Sequence, residues 1–264
     1  MAYYEKGMGD VTCVFSCGWA VPLPFSDMLE LAELLSGAYR CIIFDRFGYG
    51  FSDDGHGKRA FSTITEETKL LCDALGITGS VIYIGHSLST FHALDFAKKY
   101  PEMIMGLVLI DSYNFSSALS RSAFAWNWLI AYYCVFMRKS GLISKIKDKR
   151  LKKLLLGHRE VPEDILEDVL AITRKRLYNK TVRDELSAAI KDLKYLNIGL
   201  DKLDMPITAV CRNASYRNNK KMSRHISAHR VINVGKATHF IHYEYPEIVS
   251  NEVDKITKRD CYSS

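Results

Sequence analysis

Residues Tyr83-Ile84-Gly85-His86-Ser87-Leu88-Ser89 read YIGHSLS. An apolar, β-branched run that begins at Val81 stops at a glycine, and a serine follows two residues later. From Leu88 the pattern turns helical and runs to Tyr100, where Pro101 ends it. A buried strand, a tight turn and a helix therefore meet at Ser87. Gly85 permits close backbone approach, and Ser89 is small enough to lie beside a neighbouring strand. Such a turn raises a hydroxyl above the carboxyl edge of a sheet, where ligands bind in open α/β folds. It also aims the amide of Leu88, at a helix N-terminus, toward the same place. A serine capping the helix would use the same turn.

Working outward, further short apolar runs occur at Val11–Ser16, Cys41–Asp45, Leu107–Asp111, Ile207–Cys211 and Val231–Val234. Near-continuous apolar runs suit strands buried on both faces of a parallel sheet. Helical patterns lie between the early ones: Phe25–Leu35, and a segment after STITEE in which Thr63 and Glu66 have capping-box spacing. Alternation of strand and helix predicts right-handed βαβ units. Between about Tyr113 and Leu203 the periodicity is helical throughout, with stripes at Ile165, Val169, Ile172 and at Val182, Leu186, Ala189, Ile190, Leu193. The chain reads as one α/β domain, residues 1–113 and 203–264, interrupted by a helical insertion, 114–202.

Composition narrows the class. With 264 residues, 48% hydrophobic and 25% charged, the chain can bury a sizeable core and is not a disordered protein. Its seven cysteines are scattered with no CxxC pair, which predicts reduced thiols in a cytoplasmic protein. The N-terminus shows no secretory signal, and no apolar run reaches the roughly 18 residues that span a bilayer. The net charge of +6 is uneven: residues 138–159 hold nine Lys or Arg against one acid, Asp148. A solvated helix face explains this, as does contact with anionic lipid. No nucleic-acid motif accompanies the charge.

The quoted residues resemble the α/β-hydrolase superfamily over nearly the whole length. FSCGWA at Phe15–Ala20 looks like the family's His-Gly loop, with Cys17 where His is usual. DRFGYGFS at Asp45–Ser52 is similar to the loop after its fourth strand. GHSLS matches the nucleophile elbow except that Ser89 replaces the last glycine of G-x-S-x-G. GKATHFIHYEYP at Gly235–Pro246 looks like the segment of the catalytic histidine. The resemblance implies a mostly parallel twisted sheet with helices on both faces and a helical cap. It also implies that the family's first strand is missing, leaving about seven strands.

The resemblance further implies Ser87 as nucleophile, His239 as general base and the amides of Trp19 and Leu88 as oxyanion donors. His242 competes with His239, His86 reads as structural, and His92 as core. A thiol nucleophile at Cys17 is the rival idea. The acid is the open point, because ITAVCRNASYRN, where the family usually places it, holds no carboxylate. Asp111, one strand earlier, is the preferred acid; Asn213 as a neutral partner and a Ser-His dyad are the alternatives. Asp45 reads as structural, and Asp201 and Asp204 lie at the wrong end of the sheet. SAFAWNWLIAYYCVFM, residues Ser122–Met137, is the most apolar part of the insertion; Trp126 and Trp128 are expected to roof a substrate pocket, with the cap's own core and contact with lipid or protein as the alternatives.

The reading is a serine hydrolase cleaving an ester, thioester or small amide with an apolar portion. No metal and no organic cofactor is expected. The expected partner is a small-molecule substrate with an apolar moiety; peripheral membrane contact through the basic aromatic cap is a further reading beside the solvated helix face. A noncatalytic ligand-binding or interaction protein that kept the fold is the alternative.

Overall fold

The computed structural model describes residues 1–112, 129, 132–133, 135–149, 151–152, 163–196, 200–222 and 229–258. Seven strands form one sheet: β1 (Tyr3–Lys6), β2 (Thr12–Ser16), β3 (Arg40–Phe44), β4 (Val81–His86), β5 (Ile104–Ile110), β6 (Ile207–Cys211) and β7 (His229–Asn233), in the order β1-β3-β2-β4-β5-β6-β7. Every pairing is parallel except the edge pair β1–β3. The six apolar runs became β2 to β7. β1 was not legible, because YYEK lies at the sheet edge with mostly exposed side chains and carries no apolar run.

The described helices are α1 (Pro24–Leu35), α2 (Phe61–Ala74), α3 (Ser89–Lys99), α4 (Glu163–Arg176), α5 (Lys180–Leu196), α6 (Asn213–Met222), α7 (Ile241–Glu244) and α8 (Pro246–Lys258). α1 opens on Pro24, whose fixed φ suits a first helical position, and buries Met28, Leu31, Ala32 and Leu35 at helical spacing. α2 corrects the expected capping box. The helix starts at Phe61, so Thr63 lies inside it, and no side chain of its own caps it. Its Phe61 amide instead donates to Asp192 of α5 at 2.7 Å, and Glu66 pairs with Lys99. α5 has a local cap: Asn179 Oδ1 accepts the Val182 amide at 2.9 Å.

Alternation along the strands divides the core between the two sheet faces. Val14, Ile42, Tyr83, Leu107, Leu109 and Ile207 face α2 and α3. Cys13, Phe15, Ile43, Ile82, Ile84 and Val108 face α1 and α8. Each such large apolar side chain contributes roughly 1.5–3 kcal/mol relative to exposure. Burial on both faces fixes strand register, since a one-residue slip would exchange the two cores. The register sets Ser16 beside Gly85, His86 beside Ile110 and Ile110 beside Val210. The loops after β2, β4, β5 and β6 therefore leave the sheet along one carboxyl edge. Between β5 and β6 the described elements are helical, α4 and α5 among them. Among the described residues no helix is long and apolar enough to cross a membrane.

Candidate active site

At the end of β4 the chain enters left-handed space: Ser87 has φ +54°, a conformation rare for a residue with a Cβ. Three contacts hold it there. Its amide donates to Ile110 O at 2.9 Å, its carbonyl accepts Thr90 Oγ1 at 2.7 Å, and Gly85 lets α3 approach. A Cβ on Gly85 would stand 2.8 Å from Ser89 O, so no larger residue fits. Ser89, the last residue of GHSLS, is fully buried; its Oγ accepts the His86 amide at 2.9 Å and donates to Ser16 O at 2.5 Å. The hydroxyl thereby fastens the elbow to β2, which accounts for a serine being accommodated.

One strand over, Asp111 follows β5, also at positive φ (+43°), and its amide donates to Val210 O at 2.8 Å. The side chain is buried. Oδ2 accepts His239 Nδ1 at 2.5 Å and Arg212 Nε at 2.8 Å, and Oδ1 accepts Ser215 Oγ. Burial acts to raise its pKa, but the hydrogen bonds from His239, Ser215 and Arg212 outweigh it and hold the carboxyl below the usual range. Asn213, the neutral alternative, is engaged elsewhere: its Oδ1 accepts Asn233 Nδ2 at 2.9 Å.

His239 lies in the loop after β7, its side chain 36% exposed. Its backbone carbonyl accepts His86 Nε2 at 2.9 Å, and the two imidazoles stand 4.7 Å apart. The residue preceding Ser87 thus seats the His239 loop on the elbow. His86 is buried, and burial together with the neighbouring His242 pushes its pKa down to about 3. His242, the competitor for the base, is buried 3.5 Å from Asp27. Burial acts to raise the Asp27 pKa, yet His242 draws it down to about 2. His92 is buried against Phe61, as a core residue.

The loop after β2 runs against the elbow. A Cβ on Gly18 would sit 3.1 Å from Ser87 Cβ and 3.3 Å from His86 Nδ1. Trp19 follows, its indole Nε1 donating to Val182 O of α5 at 2.8 Å. Leu88 is buried where α3 begins. Cys17 is fully buried, and burial raises its thiol far above the ordinary range, a poor setting for a thiolate nucleophile.

Behind this loop lies a network that sequence reasoning did not identify. Arg46 Nη1 donates to Cys17 O at 2.8 Å and Nη2 to Glu185 Oε1 of α5 at 2.9 Å, both side chains fully buried. Arg176 Nε donates to Gly50 O at 2.8 Å. Arg46 sat in a quoted motif, DRFGYGFS; Glu185 carried no signal, being one acid of an amphipathic helix. Asp45 is structural, accepting the Phe51 amide at 2.9 Å.

A cavity of about 840 Å³ adjoins Trp19 and Phe240, the neighbours of Gly18 and His239. Its walls include Tyr133, Leu151, Val169 and Tyr178, which lie between β5 and β6 in the chain. Trp126 and Trp128, expected to roof the pocket, lie outside the described residues. Tyr132, Tyr133 and Phe136 of the same stretch are more than half exposed.

Comparison with known proteins agrees with this architecture. A family model of the alpha/beta hydrolase fold matches residues 21–129. A thermophilic esterase from Thermogutta terrifontis is similar in structure, with a TM-score of 0.71, 20% identity, and coverage of 98% of this chain and 93% of that one. The haloalkane dehalogenase DbeA from Bradyrhizobium elkani USDA94 has a TM-score of 0.75 at 17% identity, covering 99% of this chain and 95% of that one. The uncharacterized protein YbdG of Bacillus subtilis (strain 168) is 32% identical over 111 residues, 42% of this chain. The chain spans about a third of the length of that curated relative.

Proposed function

We propose that this chain, which has the α/β-hydrolase fold, is a serine hydrolase that cleaves an ester, thioester or small amide with an apolar portion through an acyl-enzyme. The observation that carries the reading is the 2.5 Å bond from His239 Nδ1 to Asp111 Oδ2, made beside the strand whose end bears Ser87. In this reading Asp111 keeps the ring proton on Nδ1, which leaves Nε2 as the base. Ser87 Oγ attacks the carbonyl carbon as its proton passes to Nε2. The carbonyl oxygen takes up the negative charge, met by the amides of Trp19 and Leu88. The intermediate collapses, Nε2–H protonates the leaving group, and the acyl group stays on Ser87. Water, deprotonated by Nε2, then attacks the acyl-enzyme, and Nε2–H returns the proton to Ser87 Oγ as the acid is released.

The apolar walls of the cavity beside Trp19 suit an acyl or alkyl portion. Dehalogenation is disfavoured, since Ser87 supplies an alcohol where a carboxylate would have to attack. The noncatalytic alternative rested on a missing acid, and the carboxylate of Asp111 against His239 counts in favour of the catalytic reading.

A fluorophosphonate probe tests the proposal. Wild-type protein should be labelled and should hydrolyse p-nitrophenyl esters of some chain length, and Ser87→Ala should abolish both. Wild-type protein that stays unlabelled and leaves every ester intact would overturn it in favour of a binding protein.

A further inference from the structure

We propose that Asp27, His86 and His242 bind one divalent transition-metal ion of the zinc type through Oδ2, Nδ1 and Nε2. These three side chains come from α1, from the end of β4 and from α7, and each is no more than 3% exposed. Their three atoms all lie within 4.8 Å of one another, with Oδ2 3.5 Å from His242 Nε2 and 4.0 Å from His86 Nδ1. Those separations are long for hydrogen bonds, and none of the three atoms has a hydrogen-bond partner. They suit an ion: with ligand bonds of about 2.0–2.2 Å, tetrahedral ligand atoms stand roughly 3.4 Å apart. Tetrahedral closure would bring Asp27 Oδ2 and His86 Nδ1 together by about 0.6 Å, and the two nitrogens, which lie within 4.8 Å of each other, by up to about 1.4 Å.

Proton placement strengthens the inference. His86 Nε2 faces the His239 carbonyl at 2.9 Å, which can only accept, so Nε2 carries the hydrogen. Neutral His86 then presents a lone pair at Nδ1 toward the carboxylate of Asp27. Two acceptors facing each other in a buried space are unfavourable unless a cation lies between them. Two of the three carry the outer contacts usual for metal ligands: the far nitrogen of His86 is held by a backbone carbonyl, and Asp27 Oδ1 by the Tyr243 hydroxyl, while His242 Nδ1 has no partner. Two imidazoles and one carboxylate form a borderline donor set that favours zinc-like ions over magnesium or calcium. Three protein ligands leave a fourth position for water. Asp27 also lines the 840 Å³ cavity, which offers an entry path.

The ion would clasp α1, the elbow strand and the segment after His239, and the hydrolytic steps do not pass through it. The test uses the full chain, stripped with a chelator that is then removed, and titrated with Co²⁺ alone. The wild type should take up one equivalent with visible ligand-field bands that Zn²⁺ displaces, and Ser87→Ala should do the same. Asp27→Asn and His242→Gln should each weaken Co²⁺ binding at least about tenfold. Tyr243→Phe, which leaves all three ligands in place, should weaken it by about 10–100-fold; circular dichroism reports whether each variant is folded. A wild type with no one-equivalent signal, or a folded Asp27→Asn/His242→Gln double variant that binds as the wild type does, would overturn the site.

Discussion

Asp111→Asn separates the two tasks of the acid in the proposed triad, because Arg212 shares the oxygen that faces His239. Arg212 Nε and His239 Nδ1 both donate to Oδ2, at 2.8 Å and 2.5 Å. In an asparagine at this position Arg212 selects the carbonyl oxygen for that place. The amide NH₂ then turns to Ser215 Oγ, which can accept while its own proton goes to Arg212 O, 3.2 Å away. His239 keeps its proton on Nδ1, and the tautomer is retained. What disappears is the negative charge beside the imidazolium. For charges about 4 Å apart at an effective dielectric constant near 20, that charge contributes about 4 kcal/mol. The expected loss in kcat is therefore about 10³. Adding Arg212→Met frees the amide to rotate and present NH₂ to Nδ1, which inverts the tautomer and takes the loss toward roughly 10⁴. Arg212→Met should thus cost more in the Asp111→Asn background than in the wild type. The assay is hydrolysis of a p-nitrophenyl ester by the four proteins of the cycle, with circular dichroism to show that each is folded. Near wild-type kcat for Asp111→Asn would remove Asp111 from the mechanism. An equal cost of Arg212→Met in both backgrounds would refute the orientation argument.

Three other perturbations follow from the same geometry. Ser87→Gly should abolish esterase activity yet raise the unfolding free energy by up to about 1 kcal/mol, since φ +54° strains a residue with a Cβ and suits glycine; urea titration reads it. Gly18→Ala should lower kcat by about 10²–10³ with little change in melting temperature, because its Cβ would push the Trp19 loop off Ser87. Because the folded pKa of Asp111 is depressed, its stabilisation is present above the unfolded value of about 3.9 and lost as pH falls through the lower folded value. Denaturation curves should show the stability gap between wild type and Asp111→Asn constant near neutrality and shrinking below about pH 4.

Much of the architecture was legible because it rests on local patterns. Runs such as Val81–Ile84 and Ile207–Cys211 are apolar on both faces, and that alone predicts buried parallel strands. The edge strand Tyr3–Lys6 left no such mark, since only one of its edges is paired. The cap of α2 also escaped: Thr63 and Glu66 had capping spacing, but the donor at Phe61 is met by Asp192, 131 residues away, on a different helix. Glu185 was silent for the same reason, its only distinction being the buried guanidinium of Arg46.

The sequence by itself determined the strand–turn–helix at Ser87, the order of the elements and the identity of a histidine loop near the C-terminus, because each is written in contiguous residues. It left the acid open between Asp111 and Asn213. Those positions follow adjacent strands, β5 and β6, so both emerge on the same edge of the sheet. The tertiary structure alone separates their contacts: Asp111 bonds His239 Nδ1, while Asn213 is drawn sideways to Asn233. The joining of Asp27, His86 and His242 belongs to the same class of fact. Three residues spaced 59 and 156 positions apart meet because two helices and a strand end converge at one buried place, and no local pattern records that convergence.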